Sequence, residues 1–228
     1  MVISSNLHQL APEIYLNLIL SKQIPTKVAI QPIYDLKSNV VYGYEVLARW
    51  QNIRPDIIFE VAHKMQAVDE LEHLILAEIP SLSEQIKEKL FINIYPTMPN
   101  PYAWGFLKAY DVILEITEAA EISYVGIETL KEFGFTLALD DIGTGFAAFE
   151  VLTRLQPDYL KIDKSLTQSI NIKARNSLIK AFIDHAERVD AKVIIEGIET
   201  KEQLFAVKSL GAHYGQGYLL GIPKIVRG

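Results

Sequence analysis

From about residue 27 onward, short apolar runs rich in β-branched residues alternate with longer stretches of helical periodicity. No other feature of the chain restricts its fold as much, because strand, helix and strand in succession form the crossover unit of a parallel sheet. Strands are expected at Val28–Ile33, Tyr42–Ala48, Leu90–Ile94, Val112–Ile116, Thr136–Asp140, Tyr159–Ile162 and Val193–Glu196, with a short last one around Gln216–Leu219. Helices are expected over Ile57–Lys64, Glu70–Ile86, Tyr124–Phe133, Phe146–Leu155, Ala174–Arg188 and Lys201–Leu210. Strands spaced by helices in this way predict an α/β fold, a TIM-like (β/α)8 barrel. The opening pair departs from the pattern: only Tyr34 to Val41 separates the first two strands, and Ser38-Asn39 reads as a turn. So short a link makes a hairpin and not a parallel crossover, so the first strand is expected to run antiparallel.

A chain of 228 residues, 50% hydrophobic, can build one large core. Residues 27–228 are therefore expected to form one barrel domain. Ahead of it, Leu7, Leu10, Ile14, Leu18 and Leu20 fall among polar residues at helical spacing. Residues 1–26 are thus expected to be an N-terminal helix packing on the barrel or leading into it. The segment between Asn93 and Val112, with Pro96, Pro99 and Pro101, has room for only a short helix.

The 28 acidic side chains outnumber the 22 basic ones for a formal charge of -6, which argues against a DNA or RNA polymer as partner. The absence of cysteine excludes disulfides and thiolate chemistry, and a cytoplasmic location is expected. No apolar run is long enough for a membrane helix, so no membrane insertion is expected.

Polar residues close one apolar strand after another: Glu45, Asn93, Glu115, Asp140 with Asp141, Lys161 with Asp163, Glu196 and Gln216. In a barrel these strand ends meet at one face, where the active sites of this architecture are built. Any one of them alone reads as a helix cap or a solvated acid. Together, Glu45, Glu115, Asp140, Asp141 and Glu196 would repel one another in a partly desolvated mouth unless they were protonated or held cations. An all-oxygen set with the Asn93 carbonyl added suits Mg²⁺ or Mn²⁺ better than Zn²⁺. Adjacent Asp140 and Asp141 can serve two metals if the backbone turns sharply, and Asp141-Ile142-Gly143-Thr144-Gly145 contains the glycines for such a turn.

The run Glu45-Val46-Leu47-Ala48-Arg49 resembles the Glu-x-Leu-x-Arg signature of the EAL family. Phe91-Ile92-Asn93, Leu114-Glu115-Ile116-Thr117-Glu118, Asp140 to Phe146, Asp158 to Asp163, Glu196 to Thr200 and Gln216 to Pro223 resemble its remaining motifs, in the family's order. The resemblance implies a hydrolase, a phosphodiesterase of bacterial signalling that opens cyclic di-GMP to linear pGpG with two Mg²⁺ or Mn²⁺ ions. It implies Glu45, Asn93, Glu115, Asp140, Asp141, Glu196 and Gln216 as metal-binding residues, and Glu45, Lys161 and Glu196 as catalytic ones. For substrate binding it points to Gln31, Leu47, Arg49, Asp163 and Pro223, and for control of the loop after the acidic pair to Glu118, Gly143, Thr144 and Gly145. Besides cyclic di-GMP, a second copy of the chain and a sensor domain or partner protein are the partners considered.

The chain departs from the family pattern at the signature, in the loop after the acidic pair, and in two shortened connections, after Trp50 and between Asn93 and Val112. The signature alanine is Val46, and the loop reads Ile142 and Phe146-Ala147-Ala148 where the family has Phe and Tyr-Ser-Ser. These changes keep a second reading open, a cyclic di-GMP receptor with little or no turnover. A third is a degenerate barrel that acts only as a protein-interaction module.

Overall fold

A computed structural model describes residues 10–51, 53–95, 103–117, 123–144, 148–168, 170 and 172–226. The chain divides into two compact units. One is drawn from Met1–Ile30, Val46–Lys87 and Lys224–Gly228, the other from Gln31–Glu45 and Glu88–Pro223.

The strands are β1 (Lys27–Asp35), β2 (Val41–Arg49), β3 (Lys89–Ile94), β4 (Val112–Thr117), β5 (Thr136–Ile142), β6 (Tyr159–Ile162), β7 (Lys192–Ile195), β8 (Tyr214–Gly215) and β9 (Lys224–Ile225). They join in the order β2-β3-β4-β5-β6-β7-β8-β1-β9, and β1 pairs with β2 as well, which closes the sheet into a barrel. Successive pairs from β3 to β8 are parallel, whereas β1 is antiparallel to β8. The expected reversal of the first strand is therefore present. It follows from a tight turn: Asp35 Oδ1 accepts from the backbone N–H groups of Lys37 and Ser38 at 2.9 and 2.7 Å, and Asn39 takes the left-handed conformation at φ 59°.

Two expected elements differ in extent. The helical pattern over Glu70–Ile86 is split into α3 (Val68–Leu76) and α4 (Ile79–Gln85). Pro80 sits in the first turn of α4, and a proline there lacks the N–H and crowds the carbonyl four residues back, so one helix cannot continue. The last barrel strand, expected around Gln216–Leu219, lies just ahead of that segment at Tyr214–Gly215, because Gly217 to Gly221 turn instead, with Leu220 and Gly221 N–H both donating to the Gly217 carbonyl.

In the first unit, α1 (Pro12–Leu20) buries Tyr15, Leu16 and Ile19 and lies against α2 (Pro55–Lys64) and α3. Trp50 Nε1 donates to Thr26 Oγ1 at 3.2 Å there. The outer helices of the second unit are α5 (Tyr124–Glu132), α6 (Ala148–Leu155), α7 (Lys164–Thr167), α8 (Lys173–Arg188) and α9 (Lys201–Leu210). A 3-10 turn at Gly105–Ala109 occupies the proline-rich connection. No helix among the described residues is long and apolar enough to cross a membrane.

The barrel core of this unit is a layer of Ile33, Phe91, Ile113, Ala138, Tyr159 and Ile194, with Tyr42 and Tyr214 packed against it. Tyr42 and Tyr214 stack with ring centres 3.9 Å apart, and Phe91 meets Tyr159 edge-on at 5.4 Å.

Candidate active site

Strand geometry carries this core directly into the site. Side chains two residues apart face the same way, so the residue two places beyond each core position also points inward. Counting forward, Phe91 leads to Asn93, Ile113 to Glu115, Ala138 to Asp140, Tyr159 to Lys161, Ile194 to Glu196 and Tyr214 to Gln216. On the reversed β1 the count runs backward, from Ile33 to Gln31.

At the centre of this second layer lies Lys161, fully buried. Its Nζ is 2.7 Å from Glu115 Oε1, 3.0 Å from Glu196 Oε1, 3.1 Å from Asp140 Oδ2 and 3.8 Å from Glu45 Oε1. Asn93 Nδ2 and Gln216 Nε2 both donate to Glu45, at 3.3 and 2.6 Å. The structure thus brings together all seven residues expected to bind metal. Oxygens of Glu45, Glu115 and Asp140 lie within 4.8 Å of one another, as do those of Asp140, Asp141 and Glu196.

Asp140 and Asp141 could not both face inward on a regular strand. The register of β5 against β6 shifts between Leu139 and Ile142, and Asp141 adopts φ 59°, a left-handed conformation that a short polar side chain tolerates. The turn expected from the glycines therefore begins at Asp141 itself. Asp141 N–H donates to Asp140 Oδ1 at 2.9 Å, and Thr144 Oγ1 donates to the Asp141 carbonyl at 3.0 Å. Gly143 follows at φ 112°, and a Cβ there would meet Leu166 Cδ1 at 2.6 Å.

Five carboxylates and one ammonium leave the site short of positive charge. Burial pushes Glu115 well above the usual carboxylate range; Lys161 pulls it back, and Glu45 and Asp140 push it further up. Burial raises Asp140 too, against the pull of Lys161. Asp141 is raised to about 6 by burial and by repulsion from Asp140 and Asp163, and burial raises Glu196 to about 8. For Lys161 burial opposes the charge, but Asp140, Glu115, Glu196 and Glu45 outweigh it and hold the ammonium well above its ordinary range. Two buried acceptors, Glu115 Oε2 and Gln216 Oε1, find no hydrogen-bond donor among the described residues. Unpaired acceptor oxygens in a carboxylate cage are what a hard divalent cation requires, so this donor set fits Mg²⁺ or Mn²⁺.

The remaining expected residues are distributed around this centre. Gln31 lines the same cleft, of about 310 Å³, and its Nε2 donates to the Gly221 carbonyl at 3.0 Å, two residues before half-buried Pro223. Asp163 caps α7 by accepting from Ser165 N–H at 2.8 Å. Leu47 and Arg49 belong to the first unit; Leu47 is half-buried, and Arg49 donates to the Ala48 carbonyl at 2.8 Å. Val46, the residue that departs from the signature, is buried at 2% exposure. Glu118 and Gly145 lie outside the described residues. Sequence reasoning missed Lys164, Gln168, Glu199 and Tyr218, which also line the cleft. Their signal was adjacency, since Lys164 follows Asp163 and Glu199 and Tyr218 come soon after Glu196 and Gln216.

Comparison with known proteins places this geometry in context. Residues 19–223 match the family described as EAL domain. The probable cyclic di-GMP phosphodiesterase PdeD of Escherichia coli K12 is 32% identical over 221 residues, 86% of this chain and 41% of the relative. Cyclic di-GMP phosphodiesterase PdeL of the same organism is 27% identical, with 85% of this chain and 61% of PdeL aligned. The chain thus spans less than two thirds of either relative. Among solved structures, a manganese and cyclic di-GMP complex of BlrP1 from Klebsiella pneumoniae superposes with a TM-score of 0.76 at 26% identity, covering 88% of this chain and 56% of that one. From its strand order, its motifs and these matches, the chain belongs to the EAL domain family.

Proposed function

We propose that the chain is a metal-dependent phosphodiesterase that opens one phosphodiester bond of cyclic di-GMP and releases linear pGpG. The observation that carries this reading is the carboxylate cage around Lys161 with its orphaned acceptors on Glu115 and Gln216. A ligand with two negative phosphates cannot approach five carboxylates unless cations stand between them. The relatives named as cyclic di-GMP phosphodiesterases, and the BlrP1 complex with manganese and cyclic di-GMP, support the choice of substrate.

On this reading Glu45, Asn93, Glu115, Asp140, Asp141, Glu196 and Gln216 hold two Mg²⁺ or Mn²⁺ ions. Bound there, such ions supply Lewis acidity toward phosphate oxygens and make water acidic enough to act as a nucleophile near neutral pH. The side chains do the rest. Lys161 presents an ammonium fixed by Glu115, Asp140 and Glu196, a charge already oriented when negative charge grows on the phosphate. Glu45, braced by Asn93 and Gln216, and Glu196 complete the catalytic set. Gln31, Leu47, Arg49, Asp163 and Pro223 bind substrate, while Glu118, Gly143, Thr144 and Gly145 hold the loop that positions Asp141. Buried Val46 leaves this set of oxygens complete, so the altered signature is compatible with turnover. A cytoplasmic setting and control through a homodimer or a sensor partner belong to the same reading.

The test is incubation of the purified chain with cyclic di-GMP and Mn²⁺ or Mg²⁺, with products separated by anion-exchange chromatography. Metal-dependent release of pGpG, stopped by a chelator, is expected. Binding without product would make the chain a receptor, and absence of binding would overturn both readings.

A further inference from the structure

The wall of the cleft carries an unexplained cation. Among the described residues its lining holds five carboxylates, those of Glu45, Asp140, Asp141, Glu196 and Glu199, and one basic side chain, Lys164. Lys164 is exposed and has no carboxylate partner within 4.0 Å among the described residues. An ammonium left unpaired on so acidic a wall is available to an anion that arrives with the ligand.

Its position is built by its neighbours. Asp163 caps the turn in which Lys164 is the first residue, through Ser165 N–H at 2.8 Å. Gly197, at φ 65°, passes so close that a Cβ there would sit 2.3 Å from Lys164 Cβ and 3.0 Å from its Cα. Gln203 ties the same two segments, since its Oε1 accepts from Glu199 and Thr200 N–H at 2.7 and 2.8 Å while its Nε2 reaches the Thr167 carbonyl at 3.5 Å. Glu196, in the cage, directly precedes Gly197, so the stem of Lys164 is held against the segment that carries an acid of the site.

We infer that Lys164 binds the phosphate of the cyclic dinucleotide that is not being cleaved, and so selects a ligand with two phosphates over one with a single phosphodiester. The inference rests on the phosphodiesterase reading. A cyclic dinucleotide carries two phosphates on opposite sides of its ring. The one at the carboxylate cage is neutralised by the cations held there. The other needs positive charge on the cleft wall, and Lys164 supplies it.

The experiment compares the parent with Lys164→Ala and Lys164→Arg on cyclic di-GMP and on bis(p-nitrophenyl) phosphate, which has one phosphodiester and no second phosphate. Dissociation constants for cyclic di-GMP are measured by calorimetry in Ca²⁺. Lys164→Ala is expected to weaken binding about 5- to 20-fold, allowing for an exposed charge pair. Its KM is expected to rise to match, with kcat within about twofold of the parent. Cleavage of bis(p-nitrophenyl) phosphate and the melting temperature are expected to stay at parent values, and Lys164→Arg is expected to recover most of the affinity. Unchanged affinity and KM in Lys164→Ala, beside an active parent, would overturn the assignment and leave the phosphodiesterase reading standing. So would an equal loss on both substrates, which would place Lys164 in support of the cage instead. A parent that binds without cleaving leaves the calorimetric comparison to decide in the same way. A parent that does not bind cyclic di-GMP would overturn the inference together with the reading beneath it.

Discussion

Two layers inside the barrel are made by the same strands and differ in almost everything else. Phe91, Ile113, Tyr159 and Ile194 form an apolar floor, and two residues further on Asn93, Glu115, Lys161 and Glu196 form a charged layer. Below, the rings of Tyr42, Phe91, Tyr159 and Tyr214 pack against one another, and the hydroxyls of Tyr42 and Tyr159 bond to each other. Above, charge repels charge, and acceptors on Glu115 and Gln216 lack donors among the described residues. The floor is satisfied by the chain alone, whereas the layer above keeps these two acceptors without a donor among the described residues. Stability and chemistry are therefore carried by separate, alternate residues of one set of strands.

Four substitutions and conditions probe that division. The largest effect is expected from Asp140→Asn, which keeps the size of the side chain but removes the anionic charge that faces both groups of acids. Turnover at saturating Mn²⁺ is expected to fall about a thousandfold or more, with a folded barrel by circular dichroism. Near-parent turnover would remove Asp140 from the cage.

In the floor, Phe91→Ala is expected to cost about 3–5 kcal/mol of stability, as for other buried aromatic side chains. Denaturant unfolding measures it. Activity per folded molecule is expected to stay close to the parent's, and a loss of activity out of proportion to unfolding would show that the layers are not separable.

Lys161→Ala is expected to lower kcat about 100-fold with a smaller change in cyclic di-GMP affinity. It should also destabilise the protein in chelator, because four carboxylates then lose their shared counter-charge, and Mn²⁺ should restore much of the melting temperature. A variant as stable as the parent without metal would mean that the acids are neutralised in another way.

The smallest effect concerns His213, at the floor end of β8, whose Nδ1 accepts from Val193 N–H at 3.1 Å. Burial first, and then Lys192, hold it below the ordinary histidine range, against Glu187 and Asp35. Its folded pKa is depressed, so its contribution to stability is present above about pH 6.5 and is lost as pH falls further. Melting temperatures at pH 8 and pH 5.5 should differ more for the parent than for His213→Gln. Equal differences would take His213 out of the pH response.

Much of this was legible in the sequence. The strand runs, the reversed first strand and the acids at strand ends follow from period-two patterning, short links and polar termini, and each lies within a few residues of its observed place. What escaped depends on contacts between distant segments. Helix α7 has only four residues and β9 only two, too few to show a period. The shift in β5 that turns both aspartates inward is a matter of register against β6, which no local pattern specifies. The link between Lys164 and Gly197 appears only once the two loops are folded together. The four acids around Lys161 come from positions as far apart as Glu45 and Glu196, so the sequence showed them as a series and not as a shell around one ammonium.

That ammonium also bears on the order of events during synthesis. Domains whose ligands can be brought together only by a metal stay unfolded until the metal arrives. Here the chain carries a cation of its own into the centre of the acids, on a strand paired in register with both of its neighbours. The acids therefore have a counter-charge supplied by the chain itself, so closure of the barrel around Lys161 does not depend on an ion to bring them together.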